Sequence, residues 1–198
     1  MVALCEAQQR VGKPLLFVLC LLPFGLLAWA AVSDSLGPDP VKTLIHTTGE
    51  WSIRFLLITL AVSPLRDLSK AGWVLRYRRM LGLYAWFYTS LHLLIVATYL
   101  FGWDWAITKE ELSERPYIIA GFLAWVLMVP LGLTSNNWAV RRLRQNWRRL
   151  HKLVYLAAGL AWLHIAWQTR SSYFDAVFYA ALLLILFLPR IKKLVKNR

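Results

Sequence analysis

The four histidines of this 198-residue chain are the residues with the most evident potential for chemistry. His46, His92, His151 and His164 all lie within or at the ends of long apolar segments. Ionisable side chains inside a membrane are costly and mark candidate functional sites. Imidazole binds transition metals and changes its charge near neutral pH, so these positions are candidates for metal ligation or proton transfer.

His92 and His164 occupy matching positions in two segments that are predicted to run in the same direction. His92 lies about 11 residues into its segment and His164 about 14 residues into its own, which predicts a similar depth in the outer half of the membrane. Two imidazoles that face each other from neighbouring helices are the axial ligands that a low-spin haem iron requires. The alternative is that each is a buried polar residue hydrogen-bonded to a neighbouring helix. The matched depth favours haem ligation.

His151 precedes His164 by 13 residues on the same segment. A helix rises about 1.5 Å per residue, so about 20 Å separates the two imidazoles, enough for a second haem below the first. The segment of His92 has Arg78 and Arg79 at the corresponding depth instead of a histidine. Arginine has no lone pair for a metal, and these two side chains are predicted to pair with haem propionates. The inner haem therefore stays an open alternative.

His46, Glu50 and Arg54 follow one another at intervals of four residues and form one polar stripe on a helix. The preferred interpretation is structural, an internal ion pair between Glu50 and Arg54 that packs against another helix. The functional alternative places His46 near the outer haem or a quinone.

The elements that position these side chains are predicted from hydropathy. With 59% hydrophobic and 17% charged residues and a mean hydropathy of +0.49, the chain is too apolar for an ordinary soluble enzyme. A membrane-spanning helix needs about 20 mostly apolar residues. The expected fold is an all-α integral membrane protein, a six-helix bundle that forms one haem-binding domain over residues 1–198. The predicted spans cover residues 14–32, 44–63, 81–101, 116–134, 150–168 and 174–189.

The distribution of basic residues predicts the orientation of the bundle. The chain has 23 Lys and Arg against 10 Asp and Glu, a net charge of +13. Eighteen of the basic residues fall on one side of the predicted spans and four on the other. Basic segments remain in the cytosol, so both termini are expected there, and the charge indicates membrane orientation rather than a nucleic-acid partner. Residues 14–32 also resemble a cleavable signal peptide, and its removal would not reverse the other spans.

Three segments carry a resemblance to a known family. They are RRMLGLYAWFYTSLHLLIVATYL at 78–100, RPYIIAGFLAWVLMVPLGLTSNNW at 115–138 and NWRRLHKLVYLAAGLAWLHIAW at 146–167. Together they resemble the ferric-reductase-like transmembrane family, and most closely the haem-binding membrane subunits of bacterial protein-methionine-sulfoxide reductase systems. In that resemblance His92, His151 and His164 match family haem histidines, which implies one haem b and allows a second.

The resemblance implies an electron-transfer subunit of the bacterial inner membrane that is not itself catalytic. Electrons would come from the quinone pool or a cytosolic flavin reductase and pass to a periplasmic molybdopterin subunit that repairs oxidised methionines. The larger oxidases of the family carry a flavin and nicotinamide domain, whereas no glycine-rich dinucleotide motif occurs here. FMN has been associated with the family, but no motif in this chain indicates a flavin site. The alternative functions are a small transporter or proton relay that uses the intramembrane His, Glu and Arg, and a cofactor-free scaffold.

Overall fold

A computed structural model describes the backbone of residues 2–168 and 173–196, with side chains for 12–168 and 173–188. The described residues form helices and contain no β-strand, which confirms the all-α prediction for this part of the chain. Residues 169–172 and the basic side chains after Leu188 lie outside the described residues. The helices are α1 (Val2–Val32), α2 (Pro40–Ser69), α3 (Arg78–Tyr99), α4 (Trp105–Glu114), α5 (Tyr117–Leu133), α6 (Asn137–Leu143), α7 (Gln145–Leu150), α8 (Leu153–Gln168) and α9 (Phe174–Lys196), with a 3-10 helix over Gly72–Tyr77 before α3.

Each of the six predicted spans coincides with a helix, namely α1, α2, α3, α5, α8 and α9. Within the described residues, two helical stretches are long and apolar enough to cross a membrane, Gly12–Val32 and Gly72–Tyr99. A third is present if α4 and α5 count as one bent span. The polar stripe of α2 lowers its hydropathy, and α8 is only 16 residues long. The total of six spans therefore stays a prediction.

The core of the bundle lies between two helix pairs. Helix α2 packs along α3, α5 packs along α8, and α3 also contacts α5. Phe55 of α2 stacks between Tyr84 and Tyr88 of α3, with ring centroids 5.6 Å and 5.2 Å away. Tyr88, which is only 1% exposed, is among the largest fully buried side chains.

Helix α1 is held against α3 by tyrosine hydroxyls. The Tyr84 hydroxyl donates to the carbonyl of Phe17 (2.8 Å), and the Tyr88 hydroxyl donates to the carbonyl of Cys20 (2.9 Å). The Tyr88 oxygen also accepts from the amide of Phe24 (3.1 Å). Cys20 and Phe24 are four residues apart, so their backbone groups would pair with each other in an undisturbed helix. The Tyr88 hydroxyl therefore bridges the backbone ladder of α1.

Residues 102–115, which connect the predicted spans 81–101 and 116–134, contain helix α4. Asp104 caps this helix by accepting hydrogen bonds from the amides of Ala106 (2.6 Å) and Ile107 (3.3 Å). The helix ends before Pro116, which disfavours helical geometry in the residue that precedes it. The chain then turns through 111° into α5. Capping and the proline thus define a separate short helix within this connection.

Candidate functional site

The imidazoles of His92 and His164 lie side by side between α3 and α8. Their ring centroids are 6.3 Å apart, and the ring planes are inclined by 80°. Both side chains are half-buried. The similar depth inferred from sequence corresponds to a ring contact in the structure. We call this the outer histidine pair.

Both members of the pair use the same ring nitrogen to bond the backbone of another helix. The Nδ1 atom of His92 lies 3.0 Å from the carbonyl oxygen of Ile45, and Nδ1 of His164 lies 2.7 Å from that of Tyr117. A carbonyl oxygen accepts but cannot donate, so Nδ1 carries the hydrogen in each ring. Each neutral imidazole therefore keeps its lone pair on Nε2. Such a bond also fixes the orientation of a ligating histidine.

Two glycines allow the helix backbones to approach these rings. A Cβ atom at Gly121 of α5 would lie 2.8 Å from Nδ1 of His164. A Cβ atom at Gly49 of α2 would lie 3.2 Å from Nδ1 of His92. Side chains at these positions would push the imidazoles away from the carbonyls that hold them. The fully buried Thr48 adds a hydroxyl 3.4 Å from Nδ1 of His92.

The geometry of the pair fits a haem iron. Two metal–imidazole bonds of about 2 Å, with about 1 Å from each bonded nitrogen to its ring centre, require centroids about 6 Å apart. The observed separation is 6.3 Å. Among the described residues, no group of three or more His, Cys, Asp or Glu side chains is arranged to hold a metal ion. Two neutral imidazoles suit a metal whose other ligands come from a porphyrin.

His151 lies apart from the outer histidine pair, at the junction of α7 and α8. Its ring stacks on Trp147 with centroids 3.8 Å apart, and its Nδ1 atom donates to the Trp147 carbonyl (3.1 Å). Its Nε2 atom is buried and has no hydrogen-bond partner within the described part of the chain. The described ring contacts pair His151 with Trp147 and not with a second imidazole. We call this region the inner end.

Arg78 and Arg79, the predicted propionate partners, line a cleft of about 490 Å³ at the inner end. Arg141 and Trp147 line the same cleft. The Arg79 guanidinium donates to Oδ1 of Asn137 (2.7 Å). The two arginines therefore share a cleft with the indole that stacks on His151.

The polar stripe of α2 forms the expected ion pair. An Arg54 guanidinium nitrogen lies 2.6 Å from Glu50, and the other Glu50 oxygen lies 3.1 Å from Nδ1 of His46. The Arg54 guanidinium also lies 5.1 Å from the centre of the Trp51 ring. The His46 side chain is 64% exposed. A role for His46 beside a haem or quinone stays a prediction.

Comparison with known proteins places the chain in a family. A family model for ferric reductase-like transmembrane components matches residues 48–162. This chain belongs to that family. The match includes His92 and His151 and ends two residues before His164.

Relatives in this family are similar to nearly the whole chain. A protein of Polaromonas naphthalenivorans named protein-methionine-sulfoxide reductase heme-binding subunit MsrQ is 46% identical over 178 residues, 88% of this chain and 81% of the relative. A protein of the same name from Xanthomonas euvesicatoria pv. vesicatoria is 44% identical over 193 residues, 94% of this chain and 88% of the relative. No solved structure matches the chain at a significant level.

The sequence interpretation missed the groups that surround the outer histidine pair. Gly49 and Gly121 were not singled out, and neither were the carbonyls of Ile45 and Tyr117. An isolated glycine inside an apolar helical segment is the available signal, because glycine costs helix stability unless close packing requires it. Gly121 fits that pattern within α5. A backbone carbonyl carries no sequence signal.

Proposed function

We propose that this chain is a b-type cytochrome subunit of a bacterial protein-methionine-sulfoxide reductase system, with haem b held by Nε2 of His92 and of His164. The observation that carries the proposal is the 6.3 Å separation of two rings whose Nδ1 atoms both bond backbone carbonyls. The names of the MsrQ relatives, heme-binding subunits, support the same cofactor. When bound, haem would supply one-electron transfer, which the protein tunes but does not itself perform.

The residues of the chain have three tasks in this proposal. His92 and His164 would hold the iron from α3 and α8. The carbonyls of Ile45 and Tyr117 hold the rings in one orientation and increase the electron density on Nε2. Gly49 and Gly121 leave room for these contacts.

The direction of electron flow follows from the proposed topology. Six spans with both termini in the cytosol would place the outer histidine pair toward the periplasm of a bacterial inner membrane. We propose that electrons enter from quinol or a cytosolic flavin reductase and leave to a periplasmic molybdopterin catalytic subunit that reduces methionine sulfoxide.

The number of cofactors is a separate part of the proposal. The outer histidine pair supports one haem. The buried, unpartnered Nε2 atom of His151 supports a second, but no second imidazole contacts His151 among the described residues. We therefore propose one haem per chain. The pyridine haemochrome ratio of haem to protein tests this number, and fluorescence of an acid extract tests for FMN.

An absorbance spectrum of the detergent-purified chain tests the proposed function. We expect a Soret band that shifts on reduction, with α and β bands of low-spin haem. A protein that folds and binds no haem would instead support the transporter or scaffold alternative.

The reduced protein then tests the direction of transfer. It should be fully reoxidised when a catalytic amount of a periplasmic molybdenum subunit and an excess of a methionine sulfoxide are added together, and not when either is added alone. NAD(P)H alone should leave the haem oxidised. Rapid reduction by NAD(P)H of the purified chain would contradict a separate donor and would indicate a flavin site.

A further inference from the structure

The inner end of the bundle contains two adjoining clefts, which we call the basic clefts. Arg78, Arg79 and Arg141 line the first, whose volume is about 490 Å³. Lys13, Arg76 and Arg79 line the second, whose volume is about 350 Å³. Arg79 and Asn137 belong to both, so the two clefts form one continuous surface.

Within the described side chains, no acidic residue balances the charge of the basic clefts. All the charged residues in their lining are basic. In the part of the chain that the structure describes, none of these five cations forms an ion pair, since the salt bridges involve Glu50, Asp67 and Glu111. Like charges gathered in a partly enclosed space repel one another. Cytosolic orientation alone explains basic residues on this side, but it does not require them to converge on a cleft.

The walls of the basic clefts are fixed by hydrogen bonds. Arg79 donates to Oδ1 of Asn137 (2.7 Å), and the Trp147 indole donates to the carbonyl of Thr134 (2.8 Å). Arg79 and the Trp147 ring are therefore held in position on the cleft walls, and the other cations line the same clefts. Guanidinium groups in such an arrangement suit the oxygens of a phosphate, which they bind with two parallel hydrogen bonds.

The basic clefts continue onto an apolar surface. Leu75 and Val140 line the first cleft, and Met80 and Leu83 line the second. Leu83 belongs to Gly72–Tyr99, one of the stretches able to cross a membrane. A ligand in these clefts would contact cations at one end and a membrane-facing helix at the other. Inorganic phosphate would leave the apolar part of this surface uncovered, whereas the acyl chains of a phospholipid would pack against it.

We propose that the basic clefts bind the headgroup of an anionic phospholipid, with the phosphate between the arginines and the acyl chains along α3. Basic pockets between membrane helices on the cytosolic side are suited to such headgroups. This site is separate from the outer histidine pair and does not depend on the bound haem.

Native mass spectrometry of the full-length, delipidated protein tests the proposal. Phosphatidylglycerol, cardiolipin and phosphatidylcholine of matched chain length are titrated separately. We expect both anionic lipids to bind with higher affinity than phosphatidylcholine. Equal binding of all three lipids would overturn the proposal, because a phosphate–arginine site must distinguish an anionic from a zwitterionic headgroup.

Charge-removing variants locate the site. Arg141→Gln removes a cation from the first cleft and Arg76→Gln one from the second. Each should lower the affinity for the anionic lipids about fivefold, and both together about 25-fold, as expected for a basic residue near an anionic headgroup. Arg142→Gln, on the same helix as Arg141 but outside the lining, is the matched control and should retain the affinity of the parent. An equal loss in Arg142→Gln would indicate general surface charge and overturn the proposal.

Competition experiments distinguish a lipid from a soluble phosphate as the occupant of the basic clefts. Inorganic phosphate and FMN, each added in large excess, should not displace bound phosphatidylglycerol. Displacement by either would show that a soluble phosphate occupies the clefts instead of a lipid.

The Soret band of Arg141→Gln should match the parent, because the variant leaves the outer histidine pair intact. Loss of haem in this variant would indicate that the cleft holds haem propionates and would contradict the lipid assignment.

Discussion

The two ends of the bundle use histidine in different ways. At the outer end, His92 and His164 converge with both Nδ1 atoms bonded to backbone carbonyls, and no cation lies among these contacts. At the inner end, His151 stacks on Trp147, whose other surroundings include Arg78 and Arg141. The outer arrangement leaves two ring nitrogens for one metal, whereas the inner arrangement joins a single imidazole to a basic surface. The role of a histidine in a membrane segment can therefore be inferred only when the residues around it are known.

The difference also concerns how closely the helices approach. At the outer end, glycines bring α2 and α5 within contact of the imidazoles. At the inner end, α6 and α7 are short helices, joined at Arg144 with a positive φ of 48°. Close packing fixes ring orientation at one end, while the other end keeps open clefts. The proposed haem site and the proposed lipid site would therefore lie at different ends of the bundle.

The first prediction concerns the membrane orientation of the outer and inner ends, and its effect on reporter activity is all-or-none. A fluorescent protein fused after Arg144 or after Arg198 should fluoresce, because both sites are expected in the cytosol. Alkaline phosphatase inserted within 104–114 should be active, because this segment is expected in the periplasm. Paired alkaline phosphatase and fluorescent-protein fusions measure this. A periplasmic result at Arg144 would exchange the two ends and reverse the proposed electron flow.

The second prediction concerns the removal of either imidazole of the outer histidine pair. His92→Ala and His164→Ala should each remove most of the bound haem or convert it to a high-spin form, because one imidazole leaves an axial position open. Absorbance and electron paramagnetic resonance spectra measure the change. His46→Ala is the control, since this exposed side chain contacts Glu50, and its spectrum should match the parent. Low-spin spectra in both ligand variants would contradict the assignment.

The glycines of the outer end make the third prediction, a partial loss. Gly121→Ala places a Cβ atom 2.8 Å from Nδ1 of His164 and should lower haem affinity about tenfold, the range for a lost supporting hydrogen bond. Gly49→Ala, with 3.2 Å to His92, should have a smaller effect.

Gly159→Ala is the matched control for these variants. It lies on the same helix as His164, and nothing lies within 4 Å of its added Cβ atom. Haem affinity should match the parent, and the helix should gain up to about 1 kcal/mol from the better helix former. Haem titration of the apoprotein compares all three variants. Equal affinities throughout would show that close approach to the imidazoles is unimportant.

The inner histidine makes the fourth prediction, with the smallest effect on the cofactor. His151→Ala should leave both the low-spin spectrum and the ratio of haem to protein unchanged, because no second imidazole contacts His151 among the described residues. The loss of stacking on Trp147 should cost about 1 kcal/mol of stability. Thermal unfolding and the haem ratio measure the two effects. A haem ratio reduced by half would establish a second haem at the inner end.

The predictable and unpredictable parts of this molecule differ physically. Hydropathy predicts where the six long helices lie because burial in lipid requires continuous apolar segments. The depth of His92 and His164 follows from counting residues along two such helices. The carbonyls of Ile45 and Tyr117 were not predictable, since every residue has a carbonyl and only helix packing determines which one meets a histidine.

The short elements were less predictable than the long ones. Helix α4 depends on one capping carboxylate, Asp104, and on the proline that follows the helix. Their effects are local and small beside the hydropathy of a span. The stacking of His151 on Trp147 depends on the turn between α7 and α8, to which hydropathy is insensitive.

The Tyr88 hydroxyl, which bridges Cys20 and Phe24, affects the order in which the helices take up their final positions during synthesis. Helix α1 leaves the ribosome before α3 exists, so its bridging partner is absent when it first enters the bilayer. The tyrosine that binds α1 in the folded bundle is available only after some 70 further residues have been made, about the sequence separation of these contacts. The position of α1 is thus decided late, when the helix that carries both Tyr88 and His92 has entered the bilayer.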